Sequence, residues 1–175
     1  SALVAREMGH REDDTRIIEH GGLLHDIGKI CIPDEILLKP GPLTQNEYDR
    51  IKAHPTLGYR IVKPIKFLAE ESLIILYHHE WVNGEGYPHR LSGREIPVGA
   101  RIVSVLDAYD TMRIAGGRYK KLLTCEEAVS ELIECTGTQF DPEVVRCLTH
   151  LLKQRKELKT EVPNHKKLER FLKSA

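Results

Sequence analysis

The sequence lacks four features that would each assign it to a familiar class of protein. It has no apolar run of the roughly 18 residues that a membrane helix needs, and it does not begin with a basic and apolar leader. Its 4 cysteines show no Cys-x-x-Cys spacing, which excludes a zinc ribbon and is typical of reduced thiols. Charge of one sign is not in excess, because 26 Lys and Arg residues balance 26 Asp and Glu residues. We therefore expect a soluble cytoplasmic protein that makes no membrane contact and binds no DNA.

The apolar periodicity predicts an all-α protein. At 175 residues the chain is long enough for one domain with one hydrophobic core. No alternating run demands a strand, whereas helical spacing and helix-capping patterns recur. The predicted helices cover residues 1–8, 11–25, 44–53, a segment from Pro55, 67–77 and 98–115, with two more beginning after Thr124 and Asp141. Residues 79–97, which are rich in Gly, Pro and Asn, are predicted to form a long functional loop.

The two ends of the chain differ from its middle. The sequence starts at Ser1, inside a helical pattern and without a Met, so we expect it to be a piece of a longer protein whose first helix is truncated. Beyond Leu152 the residues include 8 Lys or Arg against 3 Glu. This composition predicts a domain over residues 1–152 and a basic C-terminal helix or tail over residues 153–175.

Histidine and aspartate side chains recur at predicted helix ends. The six candidate metal ligands are His25, Asp26, His54, His78, His79 and Asp107. Imidazole and carboxylate together suit Fe, Mn, Zn or Ni, and the two oxygens of a carboxylate allow it to bridge two ions. Adjacent helical residues point about 100° apart, so His25 and Asp26 serve one site best if Asp26 bridges.

Some of these residues have an ordinary structural explanation when taken singly. A lone His54 before Pro55 is usually a capping or surface residue, and an isolated His-His pair is usually structural. Asp107 is different, because a carboxylate in an apolar helix needs a compensating partner. Arg101 and Arg113 lie six residues away on the same helix and point away from Asp107, which favours a metal ion as its partner.

Several long motifs now occur in one order, and together they resemble a known family. The matching segments are His25-Asp26-Ile27-Gly28-Lys29-Ile30, Ile32-Pro33-Asp34, residues 39–44, His54-Pro55, His78-His79-Glu80, Asn83-Gly84-Glu85-Gly86-Tyr87-Pro88, Ile96-Pro97, and residues 100–102, 106–110 and 138–142. The chain up to about Leu152 is similar to the HD-GYP subgroup of the HD phosphohydrolase superfamily.

The resemblance implies a fold, an activity and partners. The fold is an HD-domain helical bundle with a C-terminal GYP-type helical extension. Such domains bind two or three divalent ions, often iron or manganese, and hydrolyse the second messenger cyclic di-GMP to the linear dinucleotide or to GMP. They usually follow a receiver or other sensor domain, and a GGDEF-domain protein is an expected partner. A further metal-binding histidine, in a His-x-x-Arg-Val pattern, is expected just before Ser1.

The resemblance also implies a role for individual residues. Asp26 bridges the ions, and the other five candidate ligands complete their coordination shells. Lys29 contacts phosphate, so Asp26 and Lys29 are the predicted catalytic residues. Tyr87 either stacks on guanine or positions its loop. Arg118 and Lys121 belong to a basic stretch expected to face the substrate phosphates, although the stretch lacks the family's proline. A pair of ions can activate water and neutralise the charge that develops at phosphorus.

Two other functions remain open. One is an HD hydrolase that acts on another cyclic dinucleotide or a nucleotide phosphate. The other is a non-catalytic receptor or docking module that binds the ligand without turnover. The presence of Lys29 together with all six candidate ligands favours an enzyme.

Overall fold

A computed structural model describes residues 1–114, 122–158, 162 and 165–174. These residues are mostly helical and contain no β-sheet; their extended pairing is limited to two isolated bridges, Asn83 with Ser92 and Thr136 with Phe140. The all-α prediction is confirmed. Within the same residues, none of the helices combines the length and the apolar character that crossing a bilayer requires.

The described residues form ten α-helices and three short 3-10 helices. The α-helices are α1 Ala2–Glu7, α2 Glu12–Leu24, α3 Asp34–Leu37, α4 Gln45–Lys52, α5 His54–Val62, α6 Ala69–Tyr77, α7 Val98–Arg113, α8 Cys125–Glu134, α9 Pro142–Gln154 and α10 His165–Ser174. The 3-10 helices are Ile27–Cys31, Lys66–Leu68 and Gly93–Glu95.

Helix starts follow local hydrogen-bonding signals. In front of α4, the Thr44 hydroxyl accepts the Glu47 N–H while the Glu47 carboxylate accepts the Thr44 N–H at 2.7 Å. Thr124 and Glu127 form the same reciprocal pair before α8. These bonds satisfy N–H groups that the first turn of a helix leaves without partners, so the two capping-box predictions are confirmed.

Several short segments differ from the prediction. The 3-10 helix Ile27–Cys31 and the four-residue helix α3 were not predicted. The helix expected over residues 67–77 begins as the 3-10 turn Lys66–Leu68 and becomes α-helical only at Ala69. The expected loop 79–97 contains the 3-10 turn Gly93–Glu95, which has its own capping box between Ser92 and Glu95. A turn of three residues is shorter than one helical period, so it produces no repeating pattern of apolar residues from which it could be predicted.

The centre of the fold is built around α6 and α7. The α6 helix packs against α2, α5 and α7, and its residues Ile74 and Ile75 are buried. The α7 helix is apolar on most sides, with Ile102, Val103 and Val105 buried, as expected for a helix surrounded by others. Because α7 is held at the centre, its one inward carboxylate, Asp107, has a defined position near the ends of α2 and α6.

The C-terminal helices close the other side of the core. The α8, α9 and α10 helices contact one another, and Leu168 on α10 is only 1% exposed. The basic C-terminal segment therefore contains a helix whose apolar side packs onto the domain. Arg101 on α7 forms an ion pair with Asp141, whose carboxylate also caps α9 by accepting the Glu143 N–H at 2.8 Å. This pair joins the central helix to the C-terminal layer.

Candidate metal centre

The turn that follows α2 carries the first two candidate ligands. His25 is the C-terminal cap of α2, and Asp26 directly precedes the 3-10 helix Ile27–Cys31. Gly28 lies in direct backbone contact with α5: a Cβ atom built at Gly28 would lie 1.9 Å from the carbonyl oxygen of His54 and 2.5 Å from the nitrogen of Gly58. Only a glycine allows such an approach, which holds Asp26 beside His54.

The other candidate ligands come from three further helices. His54 is the first residue of α5, which has a proline in its first turn. His78 and His79 follow the last residue of α6, and Asp107 lies in the second half of α7. The contacts of α6 with α2, α5 and α7 therefore bring together side chains that lie far apart in sequence.

Three of the imidazole rings are oriented by the same local hydrogen bond. In each, Nδ1 contacts the carbonyl oxygen three residues earlier at 2.7 Å: His25 to Gly22, His54 to Ile51 and His78 to Ile75. A carbonyl oxygen only accepts, so Nδ1 carries a proton in each of the three rings. Nε2 keeps its lone pair whenever the ring is neutral. This is the arrangement in which proteins present histidine to a metal.

The free nitrogens face one another and a carboxylate. The Nε2 atoms of His54 and His78 are 3.3 Å apart, and Nε2 of His54 is 3.2 Å from Oδ1 of Asp26. One ligand atom from each of His54, His78 and His79 lies within 4.8 Å of the others. Lone pairs at these separations repel unless a cation lies between them. The geometry therefore fits metal binding.

The Nε2 atom of His25 gives a second, independent indication. It is buried and has no hydrogen-bond partner within the part of the chain that the structure describes. It lies 3.4 Å from Oδ2 of Asp26 and 3.6 Å from Oδ1 of Asp107. A buried polar atom without a partner is costly, and a metal ion would satisfy it.

Ring contacts connect the remaining histidine to the cluster. The ring centroids of His78 and His79 are 4.1 Å apart, and those of His54 and His79 are 5.1 Å apart. His25 and His78 meet edge to face at 5.1 Å. The structure thus brings all six predicted residues together, four imidazoles with two carboxylates, which is a donor set suited to Fe, Mn, Zn or Ni.

Burial and neighbouring charges set the protonation of this cluster. Burial, reinforced by the charge on His25, lowers the pKa of His78 to about 3, and burial also lowers the pKa of His79 well below its ordinary value. For Asp26 and Asp107, burial acts to raise the pKa, but the pKa of each carboxyl falls below its usual range. His25 outweighs the effect of burial at both residues, and His54 and Lys29 add to it at Asp26. Burial opposes protonation of His25 as well, yet the carboxylates of Asp107 and Asp26 raise its pKa to about 10. The two carboxylates are therefore ionised, and His78 and His79 are neutral, at pH 7.

The predicted substrate-binding residues lie in different parts of the structure. The Nζ atom of Lys29 is 2.5 Å from Oδ2 of Asp26. The ring of Tyr87 stacks on His79, with the centroids 4.9 Å apart and the planes inclined by 28°. Both residues therefore contact the histidine and aspartate cluster directly. Arg118 and Lys121 lie outside the described residues.

Sequence reasoning missed residues that support the site. The Nζ atom of Lys52 lies 4.7 Å from the centroid of the Tyr87 ring. The same ring stacks on His79. The carboxylate of Glu80 is buried and accepts backbone N–H groups from the loop that carries Tyr87. The position of Glu80 directly after the His-His pair was a usable signal, whereas nothing local in the sequence marks Lys52.

The fold and the cluster together define a helical, metal-binding histidine and aspartate domain. A family profile described as "HD domain" matches residues 1–144. The chain therefore belongs to the HD domain family.

Curated relatives carry more specific names. The chain is 42% identical over 160 residues to the cyclic di-GMP phosphodiesterase response regulator RpfG of Xanthomonas campestris pv. campestris, an alignment covering 90% of this chain and 41% of that protein. It is 44% identical over 158 residues to a cyclic di-GMP phosphodiesterase of Thermotoga maritima, covering 88% and 42% of the two chains. The chain thus spans about two fifths of the length of these relatives.

A solved structure supports the same family. A protein from Bdellovibrio bacteriovorus described as an HDG"Y"P protein superposes with a TM-score of 0.68 at 25% sequence identity. The match covers 86% of this chain and 48% of that one. The resemblance to HD-GYP domains is thereby confirmed.

Proposed function

We propose that this chain is a metal-dependent phosphodiesterase domain that hydrolyses cyclic di-GMP to the linear dinucleotide or to GMP. The observation that carries the proposal is the convergence of four imidazoles and two carboxylates. In this cluster the Nε2 atoms of His54 and His78 face each other, and the buried Nε2 of His25 has no hydrogen-bond partner among the described residues. The names of the two relatives at 42% and 44% identity support the same substrate.

The donor set indicates the class of cofactor. We propose that two or three divalent ions bind. The mixture of imidazole and carboxylate suits Fe, Mn, Zn or Ni, and the resemblance to HD-GYP domains favours iron or manganese among them. When bound, such ions supply Lewis-acid charge to phosphate oxygens and make water a stronger nucleophile at neutral pH. His25, His54, His78, His79, Asp26 and Asp107 would hold them.

The protein's own residues prepare this site in two ways. The Nδ1–H bonds to backbone carbonyls fix the orientation of three imidazoles before any ion arrives, which lowers the conformational cost of binding. Asp26 directs Oδ1 toward His54 and Oδ2 toward His25, so its two oxygens face different imidazoles. This is the arrangement expected of the bridging role that the sequence assigned to Asp26.

Lys29 and Tyr87 are the proposed substrate contacts next to the donors. The ammonium of Lys29 beside Asp26 would pair with a non-bridging phosphate oxygen, a contact that strengthens as negative charge develops in the transition state. The ring of Tyr87 would either stack on a guanine base or hold its loop in the position that borders the bound base. Arg118 and Lys121 remain proposed phosphate contacts on the basis of the sequence.

The setting of the domain is also a proposal. The Xanthomonas relative is named a response regulator, which supports an attached receiver or other sensor domain. We further propose a cytoplasmic location, where cyclic di-GMP is available as a signal, and a GGDEF-domain protein as a partner.

The function is tested by reconstitution and product analysis. The chain is loaded anaerobically with Fe(II) or Mn(II), its metal content is measured, and cyclic di-GMP is added. Chromatography should show the linear dinucleotide or GMP. The mixed guanine-adenine cyclic dinucleotide, run in parallel, tests whether another substrate of the same class is preferred.

Asp26→Asn is the matched control. This variant keeps the size of the side chain but removes the charge that would hold the ions, so both metal content and product should fall together. Cyclic di-GMP binding by a metal-loaded chain without any product would contradict the enzyme proposal and support a receptor. Full turnover by a metal-free preparation would contradict the role of the cluster.

A further inference from the structure

Glu80 is a buried carboxylate that the proposed chemistry does not use. Its residue is 2% exposed, and both of its oxygens accept hydrogen bonds from the backbone. Oε1 accepts the N–H of His89 at 2.6 Å, and Oε2 accepts the N–H of Leu91 at 3.1 Å. Burial of a carboxylate is unfavourable unless such donors compensate it, so these two bonds define where the chain lies at residues 89–91.

The same loop is attached at its other side. The N–H of Asn83 donates to the carbonyl of Thr138 at 3.0 Å, and the N–H of Tyr87 donates to the carbonyl of His79 at 3.1 Å. Gly86 rests on the backbone below it, because a Cβ atom there would lie 2.3 Å from the nitrogen of Trp81. Tyr87 is therefore presented between an entry held by Thr138 and an exit held by Glu80.

The position of this loop decides what surrounds one of the candidate ligands. The ring of Tyr87 stacks on His79 at 4.9 Å, and Nζ of Lys52 lies 4.7 Å from the centroid of the Tyr87 ring. A shift of the loop would separate the tyrosine from His79 and from Lys52. The loop thus builds an aromatic wall directly against the histidine cluster.

We propose that Glu80 is a positioning residue that holds Tyr87 against His79 and thereby sets the affinity for the cyclic dinucleotide. This inference rests on the proposed function. Glu80 does not touch the reacting atoms; it acts through the loop. Glutamine at this position has one oxygen and one NH2 group, so it can accept only one of the two N–H groups, and its NH2 opposes the other.

The consequences differ from those of a purely structural glutamate. In Glu80→Gln, the loop should open more often while the helices and the donor cluster stay in place. We expect hydrogen exchange of the peptide covering residues 83–91 to accelerate about 10-fold, and KM for cyclic di-GMP to rise by a similar factor, as for loss of a hydrogen bond to a charged group. The kcat should change less than KM, because the wall contacts the substrate equally before and during reaction.

The experiment is a double-mutant cycle on the metal-loaded chain. The variants are Glu80→Gln, Tyr87→Ala and the double variant, and Glu71→Gln is the matched control. Glu71 is a second buried glutamate, 4% exposed, whose carboxylate faces His20 at 3.4 Å on another part of the fold. Metal content, melting temperature, hydrogen exchange and steady-state kinetics are measured for each.

The proposal requires coupling between the two residues. In the Tyr87→Ala background, Glu80→Gln should cause no further increase in KM, because the residue through which it acts is absent. The Glu71→Gln control should leave KM and exchange of residues 83–91 as in the unmodified chain. Additive effects of Glu80→Gln and Tyr87→Ala, or unchanged exchange in Glu80→Gln, would overturn the proposal.

Failure of this inference can be distinguished from failure of the proposed function. Hydrogen exchange needs no substrate, so it reports whether Glu80 holds the loop even if cyclic di-GMP proves not to be hydrolysed. Should Glu80→Gln not fold, Glu80→Asp replaces it. Aspartate keeps the charge but is one methylene too short to reach both N–H groups, and it should produce the same coupling with Tyr87.

Discussion

Replacing Gly28 with alanine should damage both the fold and the metal centre. The added Cβ would lie 1.9 Å from the carbonyl oxygen of His54 and 2.5 Å from the nitrogen of Gly58. Because Cβ contacts below 3.0 Å essentially never occur, the turn carrying Asp26 must move away from α5 by about 1 Å. Both obstructing atoms belong to the backbone, so no side chain can turn aside to make room.

The expected magnitude follows from this contact. Overpacking typically costs about 1–3 kcal/mol, and we expect the upper end because backbone must shift. For a domain of this size, about 3 kcal/mol corresponds to a fall in melting temperature of about 6–12 °C. The same shift would pull Asp26 from its 3.2 Å contact with His54, and we expect metal affinity to fall by about 10–100-fold or more.

The assay is thermal unfolding together with metal content by mass spectrometry. Gly22→Ala serves as the control: it lies within α2, three residues before His25, and its added Cβ would meet first the Ser1 hydroxyl at 3.0 Å, the end of a side chain that can rotate away. The control should keep its metals and its melting temperature within about 3 °C, since alanine favours a helix over glycine. A Gly28→Ala variant that melts like the unmodified chain and retains all its metal would refute the reasoning.

Three further outcomes test other parts of the structure. The Lys29→Ala variant should keep its metals but lower kcat by about 10²–10³-fold, because the charge of Lys29 would act mainly on the transition state. Unchanged turnover with metals bound would show that the role proposed for Lys29 is wrong. Arg101→Met should destabilise the protein by about 3–5 kcal/mol in urea unfolding. The side chains of Arg101 and Asp141 are only 17% and 10% exposed, and the carboxylate would lose its cationic partner and keep only the Glu143 N–H; an unchanged urea midpoint would contradict this. Manganese at about 100 times its Kd should stabilise the folded chain by about 2.7 kcal/mol in calorimetry, and the Asp26→Asn substitution should remove that stabilisation. Equal stabilisation of the unmodified chain and the Asp26→Asn variant would show that the ion binds elsewhere.

Local chemistry in the sequence was sufficient to place most helices. The Thr44 and Thr124 capping boxes involve residues three apart, so they form wherever the chain turns into a helix. The end of α2 just before His25 and the buried character of α7 were likewise visible in one stretch of chain. The 3-10 turn Gly93–Glu95 was missed because its signal is shorter than a helical period.

The identity of the six candidate ligands could also be predicted from the sequence. Histidine and aspartate residues at helix ends, and the carboxylate of Asp107 within an apolar helix, are residue types that indicate metal binding from the sequence alone. The order of the motifs then pointed to HD-GYP domains, and the match of the HD domain profile to residues 1–144 bears this out at the level of the family.

Only the tertiary structure decided how these residues face one another and what holds them. The 3.3 Å approach of His54 to His78 depends on α5 packing against α6, and the closeness of Asp26 to His54 depends on Gly28 leaving space for a backbone. Glu80 belongs to the His78-His79-Glu80 motif in the sequence, but only folding buries it under a loop that donates two N–H groups to it. Such roles arise between segments distant in sequence, because a residue's own type sets the chemistry it can offer while packing alone sets the partner it meets.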